Sequence, residues 1–76
     1  MKLYILTSKK PSKDWEDRYD GFLIAADSAE EAIDISMEAT DEDNWTTKDN
    51  IEVREIGEAI PSIEKGIVFE SYQAVS

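Results

Sequence analysis

One stretch of this chain carries a helical period, and that limits the folds open to it. Asp27-Ser28-Ala29-Glu30-Glu31 contains a capping box, with Ser28 at the N-cap and Glu31 three residues on. Each of these side chains can bond an amide that the first helical turn leaves without a partner. Beyond it, Ala29, Ala32, Ile33, Ser36, Met37 and Thr40 recur at helical spacing, with Ile35 at the margin. The pattern predicts a helix to about Thr40 with one apolar stripe. A lone helix must bury that stripe against another element. The remaining apolar residues fall in short runs rich in β-branched and aromatic side chains, so that element must be a sheet.

Four runs read as strands. Residues 2–7 (KLYILT) place Leu3 and Ile5 on one face and Tyr4 and Leu6 on the other. Residues 21–26 (GFLIAA) form a continuous apolar run, the mark of an interior strand buried on both faces. Residues 51–56 alternate, and residues 66–73 (GIVFESYQ) follow a turn region, 57–66, that contains Pro61. The polar stretch 8–20 reads as a surface loop joining the first two strands into a long-looped hairpin. Residues 41–50 read as an irregular connection pinned by Trp45. The expected fold is α+β in the order ββαββ, a single domain over 1–76. It has an antiparallel-rich sheet of about four strands, with one helix packed on one face. If the second and third strands run parallel in one sheet, their helical crossover should be right-handed.

The charge is uneven. Eighteen acids against eight bases give a net charge of −10. Residues 1–19 hold five bases and three acids, whereas residues 20–76 hold three bases and fifteen acids. Such a balance excludes ordinary nucleic acid and anionic membrane as partners and favours a positively charged protein surface. It also serves solubility. With no histidine and no cysteine, Ser-His and Cys-His catalysis are excluded, as are disulfides and the usual zinc sites. The missing cysteines suit a reducing cytosol. The glycines at 21, 57 and 66 are too scattered for a phosphate loop. No enzyme, cofactor or metal is expected.

The acidic residues of the helix are the candidate site. Glu30, Glu31, Asp34, Glu38 and Asp41 project from the side opposite the apolar stripe, and Glu42 and Asp43 extend the run. No lysine or arginine lies between residues 19 and 47 to relieve the like-charge pairs at i,i+4. Glu38, Asp41, Glu42 and Asp43 crowd the helix C-terminus, where the macrodipole prefers cations. Five acids over eleven helical steps give one charge per roughly 3.3 Å, close to the phosphate spacing of a DNA strand. The face is either a plain solvated surface or an imitation of nucleic-acid charge that fits a basic groove. Trp45 follows the cluster and stands either at the edge of that contact or at the edge of the core. Trp15 and Tyr19, in the polar loop, invite the same two readings. Asp41, Asp43, Asp49 and Glu52 fall at positions 1, 3, 9 and 12 of a calcium-loop template. Trp45 and Thr46 then occupy the places where an oxygen ligand and a glycine are needed, so the match is read as accidental.

The opening MKLYILT, the polar hairpin, the segment GFLIAADSAEEAIDIS and the two closing strands resemble small phage and mobile-element proteins. Some anti-CRISPR proteins share this plan, and several of them inhibit by presenting an acidic, DNA-like face. The resemblance implies a phage-type inhibitor acting in the cytoplasm of a bacterial host. Its partner would be a basic nucleic-acid-handling protein such as a CRISPR effector complex, with DNA access blocked by charge mimicry. The candidate contacts are Glu30, Glu31, Asp34, Glu38, Asp41, Glu42, Asp43 and Trp45. The alternative is a generic acidic interaction module, an antitoxin or accessory subunit, without mimicry.

Overall fold

The computed structural model describes residues 1–9, 18–40 and 45–73. Four strands and one helix follow in the order β1 (Lys2–Ser8), β2 (Arg18–Ala26), α1 (Ala29–Glu38), β3 (Ile51–Glu58) and β4 (Gly66–Gln73), with a 3-10 turn at Lys48–Asn50 leading into β3. The strands form one sheet in the order β3-β1-β2-β4, and every neighbouring pair is antiparallel. The ββαββ reading and the helix packed on one face therefore hold. Because β1 is antiparallel to both β2 and β3, those two run in the same direction with β1 between them. The helix thus crosses over β1.

Side-chain alternation divides the sheet. Tyr4, Leu6, Phe22, Ile24 and Ala26 point to the helix side and, with Ala32, Trp45 and Ile51, form the buried core. Ile33, Ile35, Met37, Val53 and Ile67 pack against that core. On the other side Ala25 is fully buried, but Ile5 is 40% exposed and Phe69 64% exposed. The expectation that the second strand is buried on both faces therefore holds only in part, since Leu23 on the open side is half-buried.

The element ends differ from the sequence reading for local reasons. β2 begins three residues earlier, at Arg18, because Tyr19 stacks on Phe22 with ring centroids 4.9 Å apart and pairs with Tyr72. That extension is absorbed by an irregularity between Tyr19 and Gly21. α1 stops at Glu38, where the Thr40 hydroxyl donates to the Ser36 carbonyl at 2.7 Å. β3 continues through the end of its alternation to Glu58, which pairs with Lys2. Gly21 is required by close approach, since a Cβ there would lie 2.8 Å from the Leu6 carbonyl oxygen. Gly66 takes a φ of 137°, which glycine alone adopts readily. It follows a strap, residues 59–65, that carries the chain across the end of the sheet from one edge strand to the other. The Ala59 amide fastens this strap by donating to the Met1 carbonyl at 3.0 Å.

Candidate partner-binding surface

The helix start is built as the capping box requires, with one displacement. The Glu31 amide donates to Ser28 Oγ at 3.1 Å. The return bond comes from the Asp27 amide, which donates to Glu31 Oε1 at 2.8 Å, one residue before the cap. The Lys65 ammonium closes over the pair, 3.1 Å from Asp27 Oδ2 and 3.0 Å from Glu31 Oε2. The Asp27 amide and then Lys65 hold the Glu31 carboxyl below the usual carboxylate range. Glu31 and then Asp27 raise Lys65 in return. Glu31 is therefore committed to holding the helix start and the end of the strap.

Glu30, Asp34 and Glu38 stand exposed at i, i+4 and i+8 along the outer face of α1, and the last turn holds no basic residue. Asp34 has a long-range partner: Lys48, at the 3-10 turn, places its Nζ 3.3 Å from Asp34 Oδ1. The expectation that no i,i+4 lysine relieves these acids holds, and relief for two of the helix carboxylates comes instead from outside the helix. Lys48 and Lys65 return from distant segments, which helix-local spacing cannot reveal. Both side chains of the Lys48–Asp34 pair are about 60% exposed, so the bridge is loose and exchangeable. Asp41, Glu42 and Asp43 lie outside the described residues, as does Trp15.

Trp45 is a correction to the contact set. It is 4% exposed, its ring meets Phe22 edge-on at 4.9 Å, and its Nε1–H donates to Ser36 Oγ at 3.2 Å. Ser36 is fully buried on the inner stripe and donates in turn to the Ile33 carbonyl at 2.7 Å. The indole thus explains why a polar residue is tolerated in an apolar stripe, and it follows the core reading of Trp45. Of the calcium-template positions, Asp49 lies in the 3-10 turn and Glu52 in an edge strand, with Trp45 in the core. Among the described residues no group of three or more carboxylates is placed to hold a metal. Among the same residues, no helix is long and apolar enough to cross a membrane.

The open side of the sheet is a second surface that the site reading passed over. Its signal was present in β1, whose two faces are both apolar while the described residues hold one α-helix. No family model, curated protein or solved structure matches the chain.

Proposed function

We propose that this chain is a binding protein whose acidic helix face occupies the basic groove of a nucleic-acid-handling protein, as a phage-type inhibitor of DNA access. A CRISPR effector complex is the partner class that the sequence resemblance suggests. The observation that carries this reading is the ladder Glu30–Asp34–Glu38, three exposed acids aligned on one helix face with no basic residue in the last turn. Like charges at this spacing disfavour an isolated helix, so an arrangement tuned only for stability would interleave lysines. The Lys48 bridge does not spoil the surface, because an exposed pair is worth under about 1 kcal/mol and an incoming arginine can replace it. Glu31 is assigned to the cap instead of the contact.

The test is a competition between the chain and duplex DNA for a purified CRISPR effector complex. The chain should displace DNA, and its affinity should fall steeply as the screening length shrinks from about 10 Å at 0.1 M salt to about 3 Å at 1 M. Glu30→Lys with Glu38→Lys should weaken displacement by about tenfold or more, while Glu58→Lys with Glu64→Lys, outside the helix, should leave it nearly unchanged. Binding without displacement of DNA, or affinity that is flat with salt, would defeat the proposal. Flat affinity with the chain still bound would favour the generic interaction module.

A further inference from the structure

The sheet face turned away from α1 carries a continuous apolar row. Register places Arg54, Ile5, Leu23 and Phe69 side by side across all four strands. The next row is Glu52, Thr7, Gly21 and Ser71. Ile56, at the irregularity between β1 and β3, joins Ile5, Leu23 and Phe69 in lining a shallow hollow of about 400 Å³. A smaller hollow of about 230 Å³ adjoins it between Ile5, Thr7, Glu52 and Arg54. Ile5, Ile56 and Phe69 are 40%, 46% and 64% exposed, an apolar patch of the kind that marks an interaction surface.

We infer that two copies of this chain pack these faces together about a two-fold axis that runs along the strands between β1 and β2. The charge distribution favours this occupant. Within the two rows Arg54 and Glu52 balance, and Asp20, which also lines the hollow, leaves the face one net negative charge on a molecule of net charge −10. The helix acids stand on the opposite side of the sheet, beyond the buried core. An axis along the strands reverses the row, so Ile5 meets Leu23 of the partner subunit and Arg54 lies over Phe69 of the partner subunit. A guanidinium over an aromatic ring is attractive. Glu52 then faces the hydroxyl of Ser71 of the partner subunit. An axis across the strands would instead set Arg54 against its own copy.

The size of the face fixes how strong the pairing is. Four strands about 4.8 Å apart and about seven residues long give a footprint of roughly 450 Å² per copy. The pair then buries roughly 900 Å², just below the about 1,000 Å² that a stable specific interface clears and in the range of weak, transient association. Two sheets packed in this way lie about 10 Å apart with strands aligned to about 30°. The dimer is therefore weak and depends on concentration.

Sedimentation equilibrium on the whole chain tests this. The mass should rise from one chain toward two as concentration increases through the micromolar range. Dimerisation should be stronger at about 1 M than at about 0.1 M salt, because repulsion between the acidic bodies is screened. Partner binding through the helix should respond to salt in the opposite direction, so the two readings stand or fall separately. Phe69→Lys sets an ammonium against Arg54 of the partner subunit and should weaken the dimer by about tenfold or more. Phe69 is 64% exposed, so the variant should keep the parent circular dichroism and melting curve. Combining it with Arg54→Glu restores opposite charges across the axis and should recover dimerisation. A one-chain mass at every concentration and salt overturns the inference. So does a dimer indifferent to Phe69→Lys, or a double variant that stays monomeric.

Discussion

The buried bond between Trp45 and Ser36 permits a test in which one substitution has opposite consequences in two backgrounds. In the parent, Ser36→Ala leaves the Trp45 Nε1–H without its acceptor in a site where the indole is 4% exposed and Ser36 fully buried. An unsatisfied buried donor costs about 1–3 kcal/mol. Alanine recovers roughly 0.5 kcal/mol of helix propensity over serine. The loss of the Ser36 bond to the Ile33 carbonyl counts little, since that carbonyl keeps the helical ladder. Net destabilisation of about 1–2 kcal/mol is expected, and a domain of this size loses roughly 4–8 °C of melting temperature per kcal/mol. For 76 residues the whole stability is about 4–11 kcal/mol, so the change is easily resolved. In a Trp45→Phe background the donor is already gone, and Ser36→Ala should be neutral or slightly stabilising. Urea unfolding of the four proteins gives the coupling energy, expected at about 1–2 kcal/mol. A Ser36→Ala effect equal in both backgrounds would show that the indole N–H is satisfied elsewhere, and the account of Ser36 would be wrong.

Ser28→Ala removes the oxygen that accepts from the Glu31 amide and should cost about 1 kcal/mol, read by urea unfolding. Gly21→Ala forces a Cβ to 2.8 Å from a backbone oxygen of the adjacent central strand, and roughly 1–3 kcal/mol should be lost in the same assay. The Glu31 carboxyl is held below its ordinary value, so its contribution is fully present above the unfolded glutamate value of about 4.3 and is lost as pH falls through the lower native one. Lys65→Met should therefore flatten the acid limb of a stability–pH curve and leave its slope near neutrality unchanged. An acid limb steeper than the parent's would contradict the assignment of Lys65.

The elements were legible where one local signal sufficed. Ser28 and Glu31 mark the helix start because the capping bonds span only a few residues, and the stripe from Ala29 to Met37 marks its buried face. The strands were legible from composition and alternation, with β2 shortened because Arg18 and Asp20 look like loop residues until Tyr19 is seen stacked on Phe22. The candidate site was only half legible. Spacing along the helix places Glu30, Asp34 and Glu38 on one face. The lysines that pair with Asp34 and with Glu31 of the same helix, Lys48 and Lys65, arrive from segments whose positions depend on strand order. Trp45 was ambiguous for the same reason: flanking charge resembles an interface, and only the buried acceptor on Ser36 draws the ring inward.

The strand order has a consequence for how the molecule comes together and comes apart. β1 and β2 are successive in the chain and form the centre of the sheet, while β3 joins β1 only after the helix has crossed over, and β4 joins β2 only after the 59–65 strap has passed the sheet's end. Among the described side chains of β4, Ile67 is the one packed against the buried cluster. Peeling β4 away leaves Tyr4, Leu6, Phe22, Ile24, Trp45 and Ile51 together under the helix. The closing strand should therefore behave as a latch, last to engage during folding and first to release. In native-state hydrogen exchange its amides should open with a free energy below that of the global transition, while those bridging β1 and β2 exchange only when the whole molecule unfolds.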